Sequence, residues 1–410
     1  MSWIDYRSAR PFNFQRTEIP DLPEQYAISL NEKERNDLAG FALSIPFNFY
    51  GKEEQENFIA ETRKMSALFS SSTRNMIRRE LDGGFGAILV RGLPVDEDLP
   101  TTPTTGGLLP PDYKKTFIAE STLLALGWLT GAEPFNFRQE GRGKAPLLDN
   151  IVPVESLKSQ RGAGGYENNF PFHCESAWHR KRPDYLILLG IREGSAAHTL
   201  VFSVEMFEGT SWIQDSKDLG NWFRLKAPDL YFQMEKSGIP MGTAKYSFEP
   251  PIKAGTSGVR LNINFNGTDC IDEKALNWLS RLEEFIESKT VKTVIGPGNA
   301  LILNNDLTCH TRTGYQPSFD GMDRWFLRGY FKKDLWSLPN NPYEQNARIE
   351  EGKEFADLIS AGWMSREGKL SYSFARYVHQ PDEVNKLDGR LAELAALAFH
   401  YTPVEGSRIV

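Results

Sequence analysis

A chain of 410 residues can hold two or three average domains or one large β-rich domain, and 40% apolar residues are enough to close a sizeable core. With 47 Lys and Arg against 54 Asp and Glu the net charge is −7. That balance gives no general attraction for phosphate backbones or anionic membranes, so a nucleic-acid or membrane role is not expected. Cys174, Cys270 and Cys309 form no CxxC, a pattern that fits a reducing compartment rather than a disulfide framework or a structural zinc cluster.

The N-terminal stretch MSWIDYRSARPFNFQRTEIP mixes charges with aromatics and lacks the apolar run of a signal peptide. Windows such as TLLALGWLTGA are far too short to cross a bilayer. The expected setting is cytoplasmic. No repeat period or low-complexity tract is present.

In chain order, residues 53–81 place apolar side chains at helical spacing and predict an amphipathic helix, broken near its serines. GGFGAILVRGLPVD is a short β-branched run bounded by glycine and proline, which predicts a buried strand. A Pro/Gly/Thr loop follows, then a second helix in KKTFIAESTLLALGWLTG. From about 147 to 335 the texture changes to short strands with turns between them: LLDNIVPV, DYLILLGIRE, HTLVFSV, GVRLNINFN, NALILNND and RWFLRGYF. One helix, EKALNWLSRLEEFIES, interrupts them, and GPGN marks a corner before ALILNN. Many short strands favour a closed or sandwiched antiparallel architecture, because closure removes exposed edges. The glycine-rich ESLKSQRGAGGYENN at 155–169 reads as a mobile lid. Residues 336–410 carry one expected helix, KLDGRLAELAALAFHY, suited to packing or to a homodimer contact.

Two of the six histidines, His173 and His179, lie close together in FHCESAWH. On a strand, His173 and Glu175 share a face while Cys174 looks the other way. A third ligand would come from His310 in LILNNDLTCHTRTGY. Two histidines and a carboxylate on one side of an octahedron leave three positions open, the arrangement of non-haem Fe(II) oxygenases. His179 reaches the same point only if SAW turns, and the basic HRKRP after it reads as a solvated surface. Alone, HxE is equally a buried ion pair. In DRWFLRGYF, Arg324 and Arg328 share a strand face. They either meet water on a surface strand or, if buried, require anions such as a dicarboxylate. Two other readings use the same residues: a zinc or manganese jelly-roll hydrolase or isomerase that adds His179 to the ligands, and a silent β-sandwich binding protein.

The order HxE at 173–175, Thr199 in AHTLVF, His310 opening HTRTGY and then DRWFLR resembles the Fe(II)/2-oxoglutarate oxygenases of the taurine dioxygenase and clavaminate synthase-like group. The flanks GLPVDEDLPTTP, EPFNFRQEG, LLDNIVP and RPDYLILLGIRE resemble the members of that group that act on free amino acids, arginine hydroxylases among them. The match covers roughly 83–335. The resemblance implies a mainly β fold with flanking helices, a double-stranded β-helix or jelly roll, in a single oxygenase domain with an N-terminal helical segment at 1–82 and a C-terminal extension at 336–410. It implies iron held by His173, Glu175 and His310, with 2-oxoglutarate and O2 as cosubstrates. Arg324 would grip the remote carboxylate of 2-oxoglutarate with help from Thr199. Arg328 would face the substrate, and Gln139 would meet the substrate's α-amino group. The implied reaction is hydroxylation of an unactivated carbon of a free amino acid or small derivative, in specialised metabolism; desaturation uses the same ligands. Glu175 stands where halogenating relatives carry a small residue, so hydroxylation is the default.

The chain departs from the commoner pattern at HTR, where HGR is frequent, and at PGN, where PGD is frequent. It also carries Asn262, Asn264 and Asn266 where arginine-hydroxylating relatives carry carboxylates. On one strand face these amides would suit a neutral polar or amide-bearing substrate, and Asp269 is the nearest candidate for a restored carboxylate.

Overall fold

The computed structural model describes residues 3–334, except 13, 15, 17, 52–53, 107–108, 140–145, 180–181, 195–196, 220–221, 228–245 and 256–257, together with 349–351. Beyond the single turn Tyr6–Ala9, the helices ahead of the strand-rich part are α1 Glu32–Ser44, α2 Gln55–Met65, α3 Ser71–Asp82 and α4 Ile118–Trp128. The predicted break in the first amphipathic stretch falls at Ser70. Its side chain accepts from Thr73 N at 3.1 Å, so the serine starts α3 instead of continuing α2. Helix α1 lies within the helical segment expected at 1–82 but is not marked by periodicity: only Leu38 and Ala42 give it a buried apolar stripe, and its start is fixed by Asn31, which accepts from Glu34 N. Helix α4 is predominantly apolar and is buried along nearly its whole length, its one carboxylate, Glu120, paired with the buried Lys114.

Of the five sheets among the described residues, two that are largely antiparallel frame the site. The larger contains β1 Ala27–Ser29, β2 Ala87–Arg91, β3 Glu133–Phe135, β4 Leu148–Ile151, β6 Tyr185–Arg192, β9 Ala300–Asn304 and β11 Trp325–Lys332. Its order is β1-β2-β9-β6-β11-β3, with β4 also paired to β11; only β1 and β2 run parallel. The smaller has the order β8-β7-β10-β5, from β8 Val291–Thr293, β7 Thr199–Ser203, β10 Thr308–Arg312 and β5 Phe170–His173. Between β8 and β9 the chain passes from one sheet to the other through the predicted GPGN corner, where Gly298 adopts φ +71°, a conformation glycine accepts without strain.

Strand alternation sorts the side chains into layers. Ile88, Val90, Ile187, Leu189 and Ile302 face the helices, whereas Leu89, Leu186, Leu188 and Leu301 face inward and pack with Val201 and Val291 of the smaller sheet. The outer face of the smaller sheet, with Phe172, Leu200, Phe202 and Cys309, is covered by α5 Glu273–Lys289. At Gly127 of α4 the helix lies so close to β11 that a Cβ would meet Phe331 Cε1 at 1.9 Å, which explains a glycine inside an otherwise strong helix former.

Several sequence expectations change here. GVRLNINFN gives a strand only over Gly258–Leu261, so Asn262, Asn264 and Asn266 do not share a strand face. Asn262 is buried against Glu249 and Pro250, Asn264 forms an isolated bridge with His173, and Asn266 is exposed in a turn. Asp269 is consumed by Arg224 and Lys226 and restores no carboxylate near His173. Of HRKRP, expected to be solvated, His179 and Arg182 are buried and Arg182 is paired with Asp306; 180–181 lie outside the described residues. Of the C-terminal extension only Ile349–Glu351 is described, paired with Phe137–Gln139; the expected helix and the expected dimer contact lie outside the described residues. No helix among the described residues is long and apolar enough to cross a membrane.

Candidate metal centre

Strands β5 and β10 are neighbours in register, with His173 opposite His310. Because Phe172, Cys174 and Cys309 point into the outer core, alternation sends both histidines inward, into the space between the sheets. The strand stops at His173, and Glu175 sits in a turn rather than on a continuing strand. The convergence of His173 and Glu175 therefore rests on that turn, in which Ser176 takes φ +49°. Asn305 holds it in place: Oδ1 accepts Glu175 N at 2.8 Å, and Nδ2 donates to Glu175 O at 3.0 Å and Pro183 O at 2.8 Å.

The result is a compact donor set. The Nε2 atoms of His173 and His310 each lie 3.7 Å from Glu175 Oε1, and one donor atom from each residue lies within 4.8 Å of the others. Twice a metal–ligand bond of ~2.0–2.2 Å exceeds 3.7 Å, so one ion can touch both histidines and the carboxylate. His173 Nδ1 is 3.0 Å from Pro171 O; donation there leaves the Nε2 lone pair free for a metal. Burial, reinforced by the neighbouring His173, lowers the His310 pKa to about 3, keeping that imidazole neutral and able to ligate. Burial alone would raise the Glu175 pKa, but Arg328 and the two histidines hold it below the usual carboxylate range. All three side chains are buried. Among the described residues no fourth His, Cys, Asp or Glu joins them, whereas the hydrolase reading requires His179 as a fourth. SAW does turn, with His179 N donating to Ser176 O, yet His179 is buried edge-to-face against Trp178 rather than displayed on the surface.

Glu175 is gripped from the facing sheet. Tyr330 Oη donates to its Oε2 at 2.9 Å and Arg328 Nη1 to its Oε1 at 3.2 Å. Arg328 is itself held by Asp149 Oδ2, at 3.1 Å from Nε and 2.8 Å from Nη2. Burial would lower the pKa of this guanidinium; Tyr330, Glu175 and Asp149 raise it instead. Arg328, expected to face the substrate, is thus anchored by two carboxylates of the chain. Asn305, Tyr330 and Asp149 were not picked out from sequence. Tyr330 had a signal, since positions 326, 328 and 330 share a strand face; Asp149 lay in the quoted LLDNIVP; Asn305 had none, because its partners are more than a hundred residues away.

Arg324 immediately precedes β11 and is buried. Its guanidinium stacks on Phe326, 3.6 Å from the ring centroid, and lies 5.6 Å from that of Tyr315. No ion pair among the described residues joins it to a carboxylate of the chain. Thr199 opens β7 opposite Arg312 and is buried. The 155–169 segment packs over this end of the smaller sheet, where Arg312 Nη2 donates to Gly165 O at 2.8 Å and Tyr315 N to Tyr166 O at 2.8 Å. Gln139 lies in the strand Phe137–Gln139; its side chain is outside the described residues.

No family model matches the chain. It is 26% identical over 317 residues to an L-asparagine oxygenase of Streptomyces coelicolor, covering 76% of this chain and 91% of that protein. It is 28% identical over 287 residues to clavaminate synthase 2 of Streptomyces clavuligerus, covering 67% and 79%. In fold it resembles a crystal structure of asparagine oxygenase in complex with Fe(II), 2S,3S-3-hydroxyasparagine and succinate, with TM-score 0.67 and 24% identity over 79% of this chain and 99% of that one. A point mutant of the non-haem iron oxygenase OrfP in complex with (3S)-hydroxy-L-Arg gives TM-score 0.67 at 20% identity over the same shares. The chain is thus similar in sequence to L-asparagine oxygenase and clavaminate synthase 2, and in fold to solved non-haem iron oxygenases.

Proposed function

We propose that this chain is an Fe(II)- and 2-oxoglutarate-dependent oxygenase that hydroxylates an unactivated carbon of a free amino acid or a small amino-acid derivative. The observation that carries the reading is the meeting of two imidazole Nε2 atoms and one carboxylate oxygen within 4.8 Å, in a buried position without a fourth such ligand among the described residues. The kinship with asparagine oxygenase and clavaminate synthase supports it, and so do relatives named L-lysine 3-hydroxylase and L-ornithine/L-arginine 3-hydroxylase. The asparagine, lysine and ornithine/arginine enzymes are each named for an L-α-amino acid.

In this reading His173, Glu175 and His310 hold the iron. Iron with 2-oxoglutarate and O2 supplies the oxidising power for C–H hydroxylation, with succinate and CO2 as by-products. The side chains of the chain supply position and dryness. Pro171 O and the Asn305 clamp orient two of the ligands, while Tyr330 and Arg328 fix both oxygens of Glu175. Arg324, stacked on Phe326 without a carboxylate partner among the described residues, binds the remote carboxylate of 2-oxoglutarate, with Thr199 near the same end. Gln139, Asn264 and the outer edge of Arg328 are the candidate substrate contacts. The two facing sheets form the double-stranded β-helix of the group, spanning 83–335 of one oxygenase domain; the inward alternation of both sheets favours this.

Reconstituting the protein anaerobically with Fe(II) and adding 2-oxoglutarate should produce a weak visible charge-transfer band. Admitting O2 with a panel of amino acids should then give a product heavier by one oxygen in mass spectrometry, with succinate in equal amount. Absence of both the band and succinate sinks the oxygenase reading. A product lighter by two hydrogens would redirect it to desaturation.

A further inference from the structure

Arg324 has a second cation beside it. Arg312 is buried and its Cζ lies 4.9 Å from the Tyr315 ring centroid, while that of Arg324 lies 5.6 Å from the same ring. Two guanidiniums thus share one phenol in the protein interior, and no ion pair among the described residues gives either a carboxylate. Burial and the charge of Arg312 pull the Arg324 pKa down to about 10, although Tyr315 works the other way. Like charges taken out of water together are costly unless an anion joins them. The two arginines are not equivalent. Arg312 spends Nη1 on Thr313 O at 2.9 Å and Nη2 on Gly165 O at 2.8 Å, whereas Arg324 makes no such hydrogen bond to a backbone carbonyl among the described residues. Tyr315 is itself buried, and the one group beside its Oη among the described residues is the Arg324 guanidinium, which can only donate, so the phenol proton has no acceptor. A buried hydroxyl proton without an acceptor is rare and points to a missing one.

We infer that Tyr315 is a cosubstrate-binding residue: its hydroxyl donates to the remote carboxylate of the dicarboxylic oxo acid held by Arg324, while Arg312 adds a second positive charge and ties the 155–169 segment over the site. The inference rests on the function proposed above and deepens it, since it makes the pocket selective for an oxo acid with a second carboxylate. An oxo acid of similar length but without that carboxylate, such as 2-oxovalerate, leaves the hydroxyl and both guanidiniums unmatched.

The test compares the parent with Tyr315→Phe, which keeps the ring between the two arginines. Binding of 2-oxoglutarate and of 2-oxovalerate to the anaerobic Fe(II)-loaded proteins is measured by calorimetry, with Fe(II) affinity and circular dichroism checked to match. A hydrogen bond to a charged group corresponds to a loss of about tenfold to a hundredfold in 2-oxoglutarate affinity. The 2-oxovalerate affinity should stay unchanged. Equal 2-oxoglutarate affinity in parent and variant, or an equal loss for both oxo acids, overturns the inference and leaves the oxygenase reading standing. If the parent itself fails to bind 2-oxoglutarate, the oxygenase reading falls and the inference with it.

Discussion

The hold of Tyr330 on Glu175 can be tested by removing one atom. Tyr330→Phe keeps the ring at its place between the sheets and deletes the hydroxyl that donates to Glu175 Oε2 at 2.9 Å. Both residues are buried, so the carboxylate oxygen loses a partner that bulk water does not readily replace. A hydrogen bond to a charged acceptor contributes about 1.5–3 kcal/mol. At about 1.4 kcal/mol per decade that is one to two decades, the range found for outer-shell partners of metal ligands. The remaining donor, Arg328, reaches Oε1, the oxygen nearest both histidines, so it cannot substitute at Oε2 without turning the carboxylate. The assay is anaerobic Fe(II) titration followed by calorimetry. The expected dissociation constant is about ten to a hundred times that of the parent, with the fold of the metal-free protein unchanged by circular dichroism. Unchanged or tighter Fe(II) binding would refute the claim that Tyr330 orients the ligand.

Asn305→Ala opens the turn that carries Glu175 and strips partners from one buried N–H and two carbonyls. It should lower unfolding free energy by at least about 1–3 kcal/mol in urea titration and weaken Fe(II) binding as well. Burial and the negative charges of Glu283 and Glu284 push the Glu287 carboxyl up to about 8, against the pull of Arg7. For an acid raised on folding, the folded state holds the proton longer. Stability therefore declines as pH rises from the ordinary carboxyl range through about 8. Thermal unfolding of Glu287→Gln should show a flatter dependence than the parent between pH 6 and pH 9; parallel curves would contradict the assignment. Gly127→Ala should lower Tm even though alanine favours helix by about 1 kcal/mol, because its Cβ would overlap the Phe331 ring and overpacking costs roughly 1–3 kcal/mol. A rise in Tm would show that the ring moves aside freely.

The strands at 87–91, 185–192, 199–203, 300–304 and 325–332 were legible as short apolar runs between turn residues, and α5 by its helical period, whereas β1 and β8 are too short to stand out. Which side chains face inward, such as Leu89, Leu186 and Leu301, was not legible where both faces are apolar. The two histidines and the glutamate were legible as a set from their order and from the arginine strand that follows. Helix α1 was not marked out within its helical segment, since two buried side chains make a faint stripe. The asparagines at 262–266 misled for a definite reason. A period of two was present in the letters, but the chain leaves the strand at Leu261, and a period has meaning only while the backbone that expresses it continues.

By itself the sequence determined the β-rich architecture with flanking helices, the inward sense of His173, the outward sense of Cys174, and the chemistry available to the ligand set. Only the tertiary structure decided that Glu175 reaches the histidines from a turn pinned by Asn305, that Arg328 is held by Asp149 and Glu175, and that Arg312 and Tyr315 stand beside Arg324. The physical reason is range. Alternation and composition act between neighbours along the chain, whereas a hydrogen bond or a shared charge acts between atoms that sheet register brings together from opposite ends of it.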